Sequence, residues 1–322
     1  MPTKPLRHTE TQIVDGRRLG RRPNDPDRAT LRLSRLLTGV VPDHPATVDH
    51  FGLIPPSRWG MLGNDRYGDC GPADVVHDRV LVAKYLAGQD IYPNPADALD
   101  LYKRSGNPNF PADDNGVVMA DMLDAVHKQG VRVGSTLTRC VAYAQVDVTN
   151  LDEVHAAIAI FGSLSTGADL DRAQSAQTDA GKPWDYVGDS PEWGGHAFLV
   201  GRYNSDTGAG RPDLACISWG QVIGITDAFW AHQVQEAWVV IWPEHLANHA
   251  FLTGVDQKAL ASDYQNLTKQ PLPVAPSTLT MTVAQAAANQ AFAAKAHVWL
   301  QRNPATSQFA LDLSAWLKAW GP

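Results

Sequence analysis

The chain has 322 residues, 44% of them hydrophobic and 19% charged, with a formal net charge of -7. That balance describes a globular protein rather than a disordered one, and the acidic total excludes a nucleic-acid surface spread over the whole molecule. No window approaches the ~18 consecutive apolar residues of a membrane span, and Pro2, Lys4, Pro5, Arg7 and His8 interrupt any apolar start of the kind a signal peptide needs.

In chain order, residues 1–50 read as an extended, basic, Pro-rich arm. Pro23, Pro26, Pro42 and Pro45 punctuate it, and only 29–38 has the pattern of a short helix. Residues 1–35 hold nine Lys or Arg against four acids, a net of +5, which leaves -12 for the rest of a chain at -7. Such an arm suits an acidic protein surface or nucleic acid, or else it lies across its own acidic domain. The polar loop Asn64-Asp65-Arg66-Tyr67-Gly68-Asp69-Cys70-Gly71-Pro72 then runs into a helical pattern over 73–87. Pro72 suits the first turn of that helix and Gly88 its stop.

Further helices are expected over 95–104, over 116–129 before Gly130, and over 151–161, followed by an apolar segment at 158–164. Strand-like runs come later, at 196–203, 214–219 and 236–242. Helices first and antiparallel strands afterwards indicate the α+β class. Residues 268–282 read as a Pro/Thr-rich linker, with helices at 283–301 and 306–319. The expected organisation is therefore an arm over 1–50, a main domain over 51–267, and a linker with a helical pair over 268–322.

The chemistry-bearing candidates are Cys70 and His196. Cys70 stands where a helix begins, and the partial positive charge of a helix N-terminus favours the thiolate. His196 opens an apolar strand after Gly194-Gly195. A thiol with a distant imidazole is what nucleophilic acyl transfer requires, because the imidazole takes the thiol proton and returns it to the leaving amine. The odd count of three cysteines, Cys70, Cys140 and Cys216, without paired spacing, points to free thiols in a reducing compartment. Cys140 and Cys216 read as small buried hydrophobes, and His77 as a packing or surface residue. His245 and His249 have an i, i+4 spacing but no third ligand nearby, and Asp113-Asp114-Asn115-Gly116 has only a fragment of a calcium loop. No metal or cofactor is expected.

The order of landmarks over about 60–242 resembles the papain family of cysteine peptidases. Asn64, six residues before Cys70, stands where that family has an oxyanion-donating Gln. Cys70 opens the long helix, and Asn115-Gly116 through Gly130-Val131 is similar to the family's glycine-led helix. Ile160-Phe161-Gly162-Ser163-Leu164 is similar to its small-residue strand. His196-Ala197-Phe198-Leu199-Val200-Gly201-Arg202-Tyr203 matches its His-Ala-Val-x-x-Val-Gly-Tyr strand, and Ile217-Ser218-Trp219-Gly220 its Asn-Ser-Trp-Gly. Ala237 through Ile241 is similar to the closing strand.

The resemblance implies a papain-like fold and a Cys70–His196 dyad, with Asn64 and the Cys70 backbone N–H as oxyanion donors. It also implies Trp219 as a shield for the orienting hydrogen bond. The family's imidazole-orienting Asn falls on Ile217, which has no polar side chain; Ser218, Asp185, Asp189 or Asp213 are the candidates to replace it. Gly195 stands where the family often has Asp or Asn.

Two functions follow. One is a thiol hydrolase acting on a peptide or protein substrate, weakened by loss of the third residue. The other is a catalytically degenerate scaffold for assembly, whose arm and C-terminal helices hold protein partners. The arm and the loop before Cys70 also resemble uncharacterised proteins of actinobacteria and their tailed phages, which implies a virion component. The expected location is the cytoplasm or a virion, with no membrane partner and nucleic acid only through the arm.

Overall fold

The structure, a computed structural model, describes residues 13–39, 41–205 and 212–273. The helices expected over 283–301 and 306–319, and most of the linker before them, lie outside the described residues. The arm contributes two short strands, β1 (Arg21–Arg22) and β2 (Thr47–Asp49). A helical part follows, with α1 (Cys70–Ala87), α2 (Pro95–Arg104), β3 (Val117–Val118), α3 (Met119–Gln129) and the hairpin β4 (Val131–Val133) and β5 (Thr136–Thr138). The remainder alternates between β6 (Ala142–Val146), α4 (Leu151–Phe161), β7 (Leu164–Asp171), α5 (Arg172–Asp179), β8 (Glu192–Asn204), β9 (Leu214–Ser218), β10 (Gln221–Ile225), α6 (Asp227–Gln233) and β11 (Val234–Ile241). It ends with α7 (His249–Gly254) and α8 (Gln257–Thr268).

Helix α1 starts at Cys70, keeps Pro72 within its first turn, and stops where Gly88 turns left-handed (φ 65°). A surface helix would keep one polar face, but α1 buries even Asp74, His77, Asp78 and Arg79. The reason is its place in the middle of one core, between the helical part and the sheet. One side meets α2, α3 and β4, and the other meets β7, β8 and β9. Two of these groups, Asp78 and Arg79, are matched by partners. Asp78 accepts hydrogen bonds from Ser163 Oγ and from Trp242 Nε1 (2.6 Å). Arg79 reaches Glu244 (2.9 Å) while its guanidinium lies 4.8 Å from the Trp242 ring centre.

The main sheet has the order β10-β9-β8-β7-β11-β6, with β2 beside β8. Its pairs are all antiparallel, as the late strand runs imply. The apolar run at 160–164 is not a strand, however. Helix α4 continues to Phe161, Gly162 ends it at φ 91°, and β7 begins only at Leu164. Periodicity over so short an apolar run does not separate the end of a buried helix from a strand.

The arm, although irregular, does not stand apart. The pattern at 29–38 yields a single 3-10 turn at Leu33–Arg35, while Leu19, Leu31, Leu33, Leu36 and Leu37 are buried in the same core as β6, β7 and β11. Its arginines pair with acids of the domain, Arg17 with Asp179, Arg18 with Asp114, Arg28 with Asp124 and Arg35 with Asp263. Of the readings open to a basic arm, the structure has the one in which it lies across its own acidic domain. Among the described residues, no helix is long and apolar enough to cross a membrane.

Candidate active site

Cys70 comes from the first turn of α1 and His196 from the middle of β8, two elements in direct contact. Both line one small cavity, together with Asn64, Asp74, His77, Ile217, Ser218 and Trp219, with room for little more than a single water molecule. Strand pairing explains which residue addresses the imidazole. Ile217 lies opposite Leu199 across β8 and β9. With side chains alternating between faces, Ser218, one residue on, shares a face with Phe198 and His196. Ser218 Oγ is accordingly 2.7 Å from His196 Nε2, while Ile217 is packed in the apolar cluster around α1. The polar group that meets the imidazole therefore comes from Ser218, one residue after the position at which the motif match puts Ile217.

Trp219, held at φ 49°, stacks on the imidazole at 4.6 Å between ring centres. The Arg17 guanidinium covers its ring at 5.2 Å. With Nε2 engaged by Ser218, His196 Nδ1 has no hydrogen-bond partner. Burial drives the His196 pKa down to about 3, so its ring is neutral at physiological pH. Burial also pushes the Cys70 thiol up to about 12, with Asp69 adding to the shift, while the backbone amides of Ala197, Gly20 and Gly71 pull the other way. In this form a neutral thiol and a neutral imidazole line the same cavity.

The other candidate residues divide. Asn64 lines the cavity, but both hydrogens of its Nδ2 are in use, one on the Arg18 carbonyl (2.8 Å) and one on the Tyr67 carbonyl (3.0 Å). Asp189 sits in an exposed turn away from the cavity and is not brought to His196. Asp213 is paired with His155 at 3.0 Å, and Asp185 accepts from Thr226 at 2.6 Å. His245 has both ring nitrogens engaged, by the Trp242 N–H and the Phe161 carbonyl. Among the described residues, no group of three or more His, Cys, Asp or Glu could hold a metal ion.

Sequence reasoning missed Asp74 and passed over His77, although the i, i+4, i+7 spacing from Cys70 puts both on its helical face. One Asp74 oxygen accepts a hydrogen bond from the Ser165 hydroxyl, and the other, like His77 Nε2, has no partner. Burial holds the Asp74 carboxyl well above the usual range and His77 down at about 4, so both favour their neutral forms.

The arm closes the site from outside. The Gly20 N–H donates to the Gly195 carbonyl (3.1 Å), the Val117 N–H donates to the Gly20 carbonyl (2.7 Å), and β1 pairs in parallel with β3. The approach tolerates no side chain. A Cβ on Gly20 would overlap the Gly68 carbonyl, one on Gly116 would lie 2.8 Å from the Gly20 carbonyl carbon, and one on Gly195 would overlap the Arg21 carbonyl. Beneath this backbone Cys70 is only 2% exposed.

No protein-family model matches the chain and no curated protein matches its sequence. Solved structures match in three dimensions. Xylellain, a cysteine protease from Xylella fastidiosa, superposes with a TM-score of 0.57 at 16% identity, over 74% of this chain and 99% of its own. Procathepsin L 3 of the Tenebrio molitor larval midgut gives 0.47 at 13% identity, over 66% of this chain and 75% of its own. Procathepsin B S9 from Trypanosoma congolense gives 0.45 at 11%, over 62% and 78%. The likeness to xylellain, together with a helix carrying the cysteine against an antiparallel sheet carrying the histidine, gives this chain the papain-like α+β fold.

Proposed function

We propose that the chain is a thiol hydrolase of peptide or amide bonds, with Cys70 as nucleophile and His196 as its base, held closed by its own arm in the form described above. The observation that carries this reading is the shared cavity, in which the imidazole is held by Ser218 on one nitrogen and unpartnered on the other. Nδ1 accepts the thiol proton as sulfur attacks the substrate carbonyl carbon. The proton then passes to the departing amine as the C–N bond breaks, leaving a thioester. Water gives a proton to the same nitrogen and attacks the thioester, and the thiol is restored as the acid leaves. Ser218 takes the place of an orienting amide, its Oγ accepting a hydrogen bond from Nε2–H and so fixing the tautomer that leaves Nδ1 basic.

The oxyanion forming in each step is met by the Cys70 backbone N–H, one of the free donors at the start of α1. Asn64 adds a second donor once the arm leaves, because one of its two bonds is to the arm's Arg18 carbonyl. The arm thus covers the sulfur and occupies an oxyanion donor at the same time. The alternative role as an assembly protein draws on the arm and on the helices expected over 283–301 and 306–319, which lie outside the described residues, and the arm's arginines named above are engaged within the chain itself.

The test is to incubate the full-length protein with a thiol-directed peptide electrophile and map the adduct. Modification at Cys70, lost in Cys70→Ala and much slowed in His196→Ala, is expected. Modification elsewhere with Cys70 untouched would reject the reading.

A further inference from the structure

The segment that closes the cleft also shows what the cleft is shaped to hold. Beside the glycine that lies over Cys70, the Arg21 side chain enters a slot and is only 5% exposed. Its Nε donates to Glu236 Oε1 at 2.9 Å and its terminal nitrogen to Asp169 Oδ1 at 2.8 Å. Glu236 is itself 3% exposed, and its other oxygen accepts from Trp238 Nε1 at 2.8 Å. Room for the guanidinium comes from Gly167, where a Cβ would lie 2.5 Å from Arg21 Nε.

When the arm leaves, Glu236 keeps only a neutral donor. The slot is then left with two carboxylates, Glu236 and Asp169, and no cation between them. An incoming chain therefore gains most by restoring a cation there. An aliphatic side chain leaves the carboxylate uncompensated, and an acidic one adds a like charge. Two carboxylates addressed by different nitrogens of one planar group favour arginine over lysine.

We infer that the cleft selects peptides carrying arginine next to the residue that sits on Cys70, with Glu236 as the specificity-determining residue and Asp169 as its second carboxylate. The inference rests on the hydrolase reading above. It is tested with tripeptide electrophiles that carry Arg, Lys, Leu or Glu at either of the two positions before the reactive group, with glycine elsewhere. The rate of adduct formation at Cys70 is measured on the full-length wild-type chain and on full-length Gly20→Ala, in which the added methyl lifts the arm.

Arginine is expected to exceed leucine by roughly tenfold or more at the position next to the one that bears the reactive group, with lysine between them and glutamate slowest. Glu236→Gln is expected to bring the arginine rate down to that of leucine. Should that variant fail to fold, Asp169→Asn, at the more exposed carboxylate, is expected to cut the preference severalfold. Equal arginine and leucine rates at both positions, with Cys70 still labelled, would overturn the specificity while leaving the hydrolase reading in place. A preference undiminished in Glu236→Gln would do the same. If no electrophile reaches Cys70 in either chain, both readings fall together.

Discussion

Replacing Gly20 by alanine asks whether the arm is what seals the nucleophile. The added Cβ would overlap the Gly68 carbonyl and come within 2.5 Å of Gly68 Cα. Both are backbone atoms at the mouth of α1, so the arm moves rather than the wall. Two hydrogen bonds go with it, from the Gly20 N–H to Gly195 (3.1 Å) and from the Val117 N–H to the Gly20 carbonyl (2.7 Å). At about 1 kcal/mol each, their loss weakens docking by roughly 2 kcal/mol, a shift of about 30-fold toward the open cleft.

The assay is alkylation of the intact full-length chain by iodoacetamide across pH 7 to 9, with the adducts mapped by peptide mass. Only the thiolate reacts, and burial holds the Cys70 pKa at about 12. The wild-type rate therefore climbs about tenfold per pH unit without levelling. In Gly20→Ala, Cys70 is expected to react roughly 30 times faster at neutral pH, with the pH dependence flattening as the thiol returns toward its ordinary range. Gly195→Ala presses on the arm from the opposite wall and is expected to act in the same direction. Cys140 and Cys216, buried elsewhere, serve as internal controls. Identical Cys70 rates in folded wild-type and Gly20→Ala protein would refute the reasoning.

Other predictions test separate parts of the site. Ser218→Ala removes the partner of His196 Nε2 and is expected to lower kcat roughly 10- to 100-fold with little change in KM; Ser218→Asn, which keeps a polar partner, should restore part of it, and an unchanged kcat in the alanine variant would remove Ser218 from the mechanism. Asp78 has a folded pKa of about 6, above its ordinary 3.8. Its contribution to stability is therefore present below pH 3.8 and lost as the pH rises through 6. Asp78→Asn, followed by denaturant unfolding, is expected to gain about 3 kcal/mol relative to wild type between pH 4 and 7, whereas a difference independent of pH would show that the carboxyl does not titrate with folding.

Much of the fold was legible because its signals are local. Pro72 and Gly88 bracket α1, Gly130 ends α3, and continuous apolar runs mark β8 and β11. Cys70 and His196, which line one cavity, stood out for the same reason, since a helix start and a strand opening each announce themselves over a few residues. What escaped depends on contacts far apart in the chain. The choice of Ser218 over Ile217 is made by the register of β8 against β9, and a one-residue slip in a motif match reverses the face of a side chain. Asp189, one of the candidates to replace the missing orienting amide, lies in an exposed turn. The arm's path across the cleft depends on close approaches at Gly20, Gly116 and Gly195, and nothing within the arm identifies Glu236 as the partner of Arg21. In α1 the near-total burial that hides a polar face also concealed Asp74, although its spacing from Cys70 was available.

Hydrolysis of an unmodified peptide by the full-length Gly20→Ala chain, compared with the same chain also carrying Cys70→Ala or His196→Ala, is the most direct measurement of the central claim. Cleavage that requires both residues, with each double variant still folded, is the predicted result. Cleavage that survives loss of either side chain, or an open and folded chain that cleaves nothing while Cys70 remains accessible, would contradict it.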